Sequence, residues 1–541
     1  MDSMITFDRI INILEPMNPW WNDSEWHRKD QEIINFNNSK VQWQPRLMFL
    51  IHRRLIEKEK TGIITVRGPR RLGKTTMIKR LIQIMVAQDV NPRRIVYIQC
   101  DDPQIDKLYE ETGNALKRII IEYTNNFKSD LPIFFFFDEA TFYKGNWARE
   151  IKSAADQAYI NKKAFIYITG SSALDLDTSR NLLIGRQGDV LTALPSGSDQ
   201  FLYPMRFVEF VETVNPDIFG FLKENYLMSS KRKFSLFRSL TKIKDNRFTL
   251  LLETINEEFG DILATLIWKY ILGGGYARNL HSILENNFIP LEFYEEVYTT
   301  IIQDAYKLDL EREVIEKTLE IILTQHENSS TIEYPKFLQK IAQDCGISKP
   351  KGSIHPIEKY VRYLTNLKFA LIYYKVNIGS NVPSVKKSTT VKTYLRDPFM
   401  FQAIYSKLNS IPNPFKYFNS LLQHDKREIS AMIEGIVASH MAILPFLLNP
   451  VPNYDEKRFS GIYKAKKEID FVSWTRSIKD NTPLIIPVEV KYRNKIRGDD
   501  LENALEFSKK LTRRVLIATK KDFKIDDNVI LLPVPILLLL I

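Results

Sequence analysis

Apolar residues recur along this chain with two different spacings, and the changes of spacing mark out its domains. Early in the chain, unbroken apolar runs stand in ITVRGP (64–69), in Ile133 with four phenylalanines (133–137), and in AFIYITGSS (164–172). Such runs predict strands buried on both faces, as in a parallel sheet covered by helices. TMIKRLIQIMVA, after the first run, has helical spacing. From about 205 to 325 the spacing is helical throughout, broken by Gly273-Gly274-Gly275, which reads as a helix stop and hinge. Residues 331–376 predict a short amphipathic helix stopped at Gly346, a loop, a longer helix and a strand. Further on come a helix containing Glu434, strands at 468–472 and in LIIPVEVKYR, the helix LENALEFSKKL and the strand RRVLIATK. The closing PVPILLLLI is too short for a membrane span, which needs about 20 residues. A final buried strand is expected there, and no membrane partner.

Composition adds modest constraints. With 541 residues, 44% hydrophobic and 26% charged, the chain is long enough for several domains and leaves little room for extended disorder. A net charge of +11 raises DNA as a partner. Cys100 and Cys345 have no metal-ligand spacing, and the seven histidines show no paired ligand pattern. They are expected to be packing or surface residues. The basic stretch 229–247 reads as a solvated face, with a DNA contact as the alternative. The start lacks a basic segment followed by an apolar core, so a cytoplasmic protein is expected.

The most specific chemistry lies at Gly68-Pro69-Arg70-Arg71-Leu72-Gly73-Lys74-Thr75, a complete G-x-x-x-x-G-K-[ST] between a strand and a helix. Glycines let backbone N–H groups turn inward around phosphates, Lys74 reaches the β- and γ-phosphates, and the Thr75 hydroxyl binds Mg²⁺. Gly68, Gly73, Lys74, Thr75 and Thr76 are therefore the nucleotide-binding candidates. Asp138-Glu139 end the phenylalanine strand. Asp138 would hold Mg²⁺ through water, and Glu139 would polarise the attacking water. Thr169, Ser171 and Ser172 end the next strand, where one polar residue would sense the γ-phosphate; the sequence does not choose among them. Arg186, in Leu183-Ile184-Gly185-Arg186, is the candidate for transition-state charge. Whether it acts in its own subunit or a neighbour's, as in a homo-oligomer, stays open. Arg70 and Arg71 are candidates to face phosphate or DNA.

A second constellation joins Asp470 to Glu489-Val490-Lys491 on two successive strands. The i, i+2 spacing puts Glu489 and Lys491 on one strand face. Two carboxylates and a lysine so placed can hold Mg²⁺ and orient a water, with Glu434 completing the metal set. This order resembles the PD-(D/E)XK nuclease core. Lys349, Lys351, His355, Lys359 and Arg362 cluster around the second helix of 331–376, where a winged helix would meet DNA.

Asn18-Pro19-Trp20-Trp21, Trp43-Gln44-Pro45-Arg46, the phosphate loop, Asp138-Glu139 and PMRFVEF (204–210) together resemble a prokaryotic, largely archaeal family of AAA-type P-loop ATPases. Its members carry a winged helix and a nuclease-like domain; Arg206 stands here where that family usually has serine. The resemblance implies an α/β fold in four parts. These are an ATPase core with N-terminal extension (1–205), a helical lid (206–325), a winged helix (326–410) and a restriction-endonuclease-like domain (411–541). The tryptophans are expected to anchor the N-terminal segment. ATP and Mg²⁺ are the expected cofactors, and the expected function is ATP hydrolysis coupled to DNA binding or processing, with nuclease activity left open. The alternative is an ATP-dependent switch or scaffold whose nuclease-like domain docks a partner without cutting.

Overall fold

The computed structural model describes residues 6–541 apart from 158–162, 171–181, 184, 195, 348–355, 379–382, 386–389, 425, 465–467 and 478–480. The chain divides into two compact units, one of residues 1–203 with 451–453, the other of 204–450 with 454–541.

The first unit is built on five parallel strands: β1 (Gly62–Arg67), β2 (Ile95–Gln99), β3 (Ile133–Asp138), β4 (Ala164–Gly170) and β5 (Asp199–Phe201). Their order is β2-β3-β4-β1-β5. Every residue of β3 and β4 is buried, which explains the unbroken apolar runs. Because β4 lies between β1 and β3, Thr169 at its end stands between the phosphate loop and Asp138. Strand β2 is an edge, and the N-terminal segment covers it with side chains. Trp20 and Trp21 both donate to the Ile95 carbonyl, at 3.1 and 2.8 Å. Asn18 bonds both the N–H and the carbonyl of Tyr97. Edge groups that would otherwise meet solvent are thereby paired, and the tryptophans act as the expected anchor.

The second unit begins with helices, among them Phe207–Val214, Thr249–Gly273, Leu291–Tyr306 and Arg312–Asn328. Its strands are β6 (Ile332–Glu333), β7 (Ala370–Ile378), β8 (Pro383–Val385), β9 (Thr390–Leu395), β10 (Ser460–Lys464), β11 (Glu468–Arg476), β12 (Pro483–Lys491), β13 (Val515–Thr519), β14 (Lys524–Ile525) and β15 (Val529–Pro533). They form one sheet in the order β14-β15-β13-β12-β11-β10-β7-β9-β6, with β8 paired to β7. Strand β7 pairs with β9 on one side and β10 on the other. The boundary expected at 410/411 therefore does not separate two sheets, and the helical stretch 206–325 belongs to the same compact unit.

Two local expectations are revised. The terminal apolar run is the end of β15 followed by the helix Val534–Leu540, not a strand. Pro533 and Pro535 explain this: proline cannot donate within a central strand but suits the first turn of a helix. The basic stretch 229–247 is not wholly solvated, because Lys233 turns inward and donates to the Ile541 main-chain oxygen at 2.8 Å. Arg206 meets the same oxygen. The helix Arg427–Leu448 is long and apolar enough to cross a membrane, yet 83% of its apolar window is buried within the fold. The Gly273–Gly275 stop is as expected: Gly274 adopts φ +62° and the Gly275 N–H donates to Asp397 at 2.8 Å.

Candidate functional site

The phosphate loop joins β1 to the helix Lys74–Ala87, whose N-cap is Gly73 at φ +85°. Gly68 is required for packing as well: a Cβ there would stand 2.6 Å from the Leu202 carbonyl. The Lys74 ammonium lies inside the loop, 3.0 Å from the carbonyls of both Gly68 and Pro69. Thr76 donates to Glu32, on the helix Gln31–Asn38, at 2.7 Å.

Asp138 is the centre of the site. Its Oδ2 accepts from the Thr75 hydroxyl at 2.7 Å and from Tyr97 at 3.0 Å. Its Oδ1 accepts from Thr169 and from the Glu139 N–H at 3.2 Å. Burial first, then the charge of Asp138, holds the Tyr97 pKa well above its ordinary value, so Tyr97 is a permanent donor. Four donors aim one carboxylate at the mouth of the sheet. Glu139 follows at φ +51°, a left-handed conformation uncommon outside glycine and recurrent at functional sites. Of the three residues at the end of β4, Thr169 reaches Asp138; Ser171 and Ser172 lie outside the described residues. Arg186 is bonded to Asp156 at 2.6 Å, on the helix Trp147–Asp156. Arg70 stacks over the Phe142 ring at 4.8 Å.

The oxygen donors fit Mg²⁺: a hydroxyl and a carboxylate, Thr75 and Asp138, already adjoin at the carboxyl ends of the strands. Tyr97, which orients Asp138 together with Thr169, escapes a motif search; its only sequence signal is that it lies on a strand flanking β3.

The second cluster lies where β9, β11, β12 and the helix Arg427–Leu448 meet. Asp470 and Glu489 sit on paired strands: the Asp470 N–H donates to Glu489 Oε2 at 3.2 Å, and the Val490 N–H to Asp470 Oδ2 at 2.9 Å. Lys491 donates to Glu489 Oε1 at 2.7 Å, as the i, i+2 spacing requires. Glu434 accepts from Tyr394 at 2.7 Å and from Ser329 at 2.6 Å. The residue that sequence reading missed is Lys392 on β9. Its ammonium lies 2.9 Å from Asp470, 2.9 Å from Glu468 and 3.4 Å from Glu434. Among the described residues no three His, Cys, Asp or Glu side chains converge as a metal-binding group. The Lys392 ammonium stands between Glu434 and Asp470, two of the three acids expected to share an ion.

Charges follow from these contacts. Burial opposes ionisation of Asp470, but Lys392 and the Val490 N–H together hold its pKa below the ordinary carboxylate value. Burial and then the charge of Asp470 push Glu489 up to about 8. Burial also raises Glu434, against the pull of Lys392. In the segment 331–376, Arg362 pairs with Glu358 at 2.9 Å and Lys359 lies over Tyr360; Lys349, Lys351 and His355 fall outside the described residues.

Residues 60–211 match the family model described as AAA domain. With the parallel sheet and the phosphate loop, this makes the first unit an AAA-type P-loop ATPase domain. The chain is also 27% identical over 252 residues to Uncharacterized protein MJ1637 of Methanocaldococcus jannaschii, a match covering 47% of this chain and 44% of that protein. It thus spans less than half the length of that curated relative. Among solved structures, the Walker-type ATPase PABY2304 of Pyrococcus abyssi matches with TM-score 0.36 and 15% identity, over 67% of this chain and 96% of that one. The Aeropyrum pernix ORC1 protein in complex with DNA matches with TM-score 0.28 and 10% identity, over 69% and 92%. The likeness of either to the whole chain is too slight to carry a functional statement.

Proposed function

We propose that this chain binds and hydrolyses ATP and couples that cycle to DNA. The observation that carries the reading is the convergence of Thr75, Tyr97, Thr169 and the Glu139 N–H on the Asp138 carboxylate. Bound Mg²⁺ would neutralise charge developing on the β- and γ-phosphates. The chain's own residues do the rest. Lys74 moves from the loop carbonyls to phosphate oxygens, Thr75 and Asp138 hold the ion, and Glu139 orients the attacking water. Thr169 ties the water-positioning residue to the ion-holding one.

Support for DNA comes from the net charge and from the second unit. Helix Arg312–Asn328, β6, helices Tyr334–Asp344 and Glu358–Asn366, then β7 and β9 follow one another in the order of a winged helix. Arg362 and Lys359, on its third helix, carry the proposed phosphate contacts. ATP turnover measured with and without duplex DNA, and DNA affinity measured across salt concentrations, test the coupling. Stimulated turnover and affinity that falls steeply with salt are expected. Unchanged turnover with a flat salt response would remove DNA and leave the ATPase.

A second reading concerns the C-terminal cluster alone. The Asp470, Glu489 and Lys491 arrangement supports a nuclease-like fold, but Lys392 among its acids favours a domain that docks a partner without cutting.

A further inference from the structure

Every carboxylate oxygen of Glu434, Asp470 and Glu489 already accepts a hydrogen bond from the chain. Glu434 Oε1 accepts from Tyr394 and Oε2 from Ser329. Asp470 Oδ1 accepts from Lys392 and Oδ2 from the Val490 N–H. Glu489 Oε1 accepts from Lys491 and Oε2 from the Asp470 N–H. A magnesium ion demands near-octahedral oxygens at about 2.0–2.1 Å and sheds its water reluctantly. A hydrogen bond alone does not bar such an ion, since each carboxylate oxygen has two lone pairs; the obstacle here is a cation, the Lys392 ammonium, 2.9 Å from Asp470 and 3.4 Å from Glu434.

Lys392 is the decisive member. Its side chain is only 3% exposed, and its ammonium touches acids from both β11 and the helix Arg427–Leu448. A buried ammonium without partners would be costly. Here carboxylates surround it as they would surround a metal ion. The lysine comes from β9, the strand that the shared sheet brings alongside the cluster.

We infer that Lys392 is a resident cation which takes the place of a divalent metal in this cluster, so that the C-terminal site binds no Mg²⁺ or Mn²⁺ while the lysine is present. The ammonium does by itself what an ion would do for the fold: it neutralises buried acids and ties β9 and β11 to the long helix. The inference stands apart from the ATPase reading and bears only on the nuclease-like cluster.

The test is Mn²⁺ binding to the full chain without nucleotide, followed by electron paramagnetic resonance. Wild type and Asp470→Asn should bind Mn²⁺ alike, any binding at the phosphate loop being common to both. Lys392→Met should acquire a further Mn²⁺ site that wild type lacks, since one nearby positive charge has gone. Its melting temperature should rise with added Mn²⁺, and adding Asp470→Asn to it should abolish both effects. A wild-type site that Asp470→Asn or Glu434→Gln removes would overturn the inference, and this comparison needs no lysine variant to fold. So would a folded Lys392→Met chain that binds no more Mn²⁺ than wild type.

Discussion

Thr75 and Asp138 lie 2.7 Å apart although the strands that carry them to this point, β1 and β3, are not neighbours in the sheet. Strand β4 separates them, and the contact forms beyond its end. Lys74→Ala should abolish nucleotide binding, measured by titration calorimetry. Glu139→Gln should bind ATP normally but turn it over at least about a hundredfold more slowly. Normal turnover in the second variant would show that another residue positions the water.

Thr169 is bonded to both Asp138 and the Glu139 N–H, so it should matter for the chemical step more than for binding. Thr169→Val keeps the shape and removes the hydroxyl. Loss of these two hydrogen bonds should cost at least roughly tenfold in kcat, with KM nearly unchanged. An equal loss in KM would instead mark Thr169 as a structural support of the site.

Arg186 is paired with the exposed Asp156 and also donates to the Leu182 carbonyl at 3.3 Å. A pair open to solvent on the aspartate's side is weak and can be exchanged for phosphate. Arg186→Ala should leave the melting temperature nearly unchanged while lowering kcat by roughly a thousandfold, as for arginines that stabilise phosphoryl transfer. Restored turnover on mixing Arg186→Ala with Lys74→Ala chains would place the arginine in a neighbouring subunit. Full activity of Arg186→Ala alone would return it to the surface.

Two buried histidines predict how stability depends on pH. His326 accepts from the Leu395 N–H and donates to the Ala431 carbonyl; His440 accepts from the Phe207 N–H and donates to the Ile436 carbonyl. Burial lowers both to about 4 from an ordinary 6.5. Between pH 6.5 and 4 the unfolded chain therefore binds protons that the folded chain refuses, and stability falls as pH falls. Urea melts across this window should show a slope that decreases by nearly one proton in His326→Gln. An unchanged slope would mean that His326 is protonated in the fold.

Gly435 faces that same imidazole: a Cβ would stand 2.5 Å from His326 Nε2. Gly435→Ala should destabilise the second unit by about 1–3 kcal/mol, because the ring must move and its hydrogen bonds with it. A neutral effect in chemical denaturation would show that the ring shifts freely.

The candidate nucleotide-binding residues were legible because they are local. A phosphate loop is eight consecutive residues whose backbone must bend one way, and β3 announces itself by four phenylalanines ending in Asp138-Glu139. Glu489 and Lys491 were legible for the same reason, since alternate positions share a strand face. In the terminal run, by contrast, uniform apolarity hid the change from strand to helix, and only the two prolines bore a trace of it.

What the sequence determined by itself is thus the set of residues that share a turn, a strand face or a helix. What only the tertiary structure decided is which distant residues meet. Tyr97 and Thr169 find Asp138 through the order β2-β3-β4-β1, and Lys392 finds Asp470 because the sheet continues from β9 through β7 and β10 to β11. Strand order and register arise from burying whole faces against each other, a sum over many weak contacts. A single lysine in Thr390–Leu395 carries no local sign that its ammonium will be buried among acids that lie far along the chain.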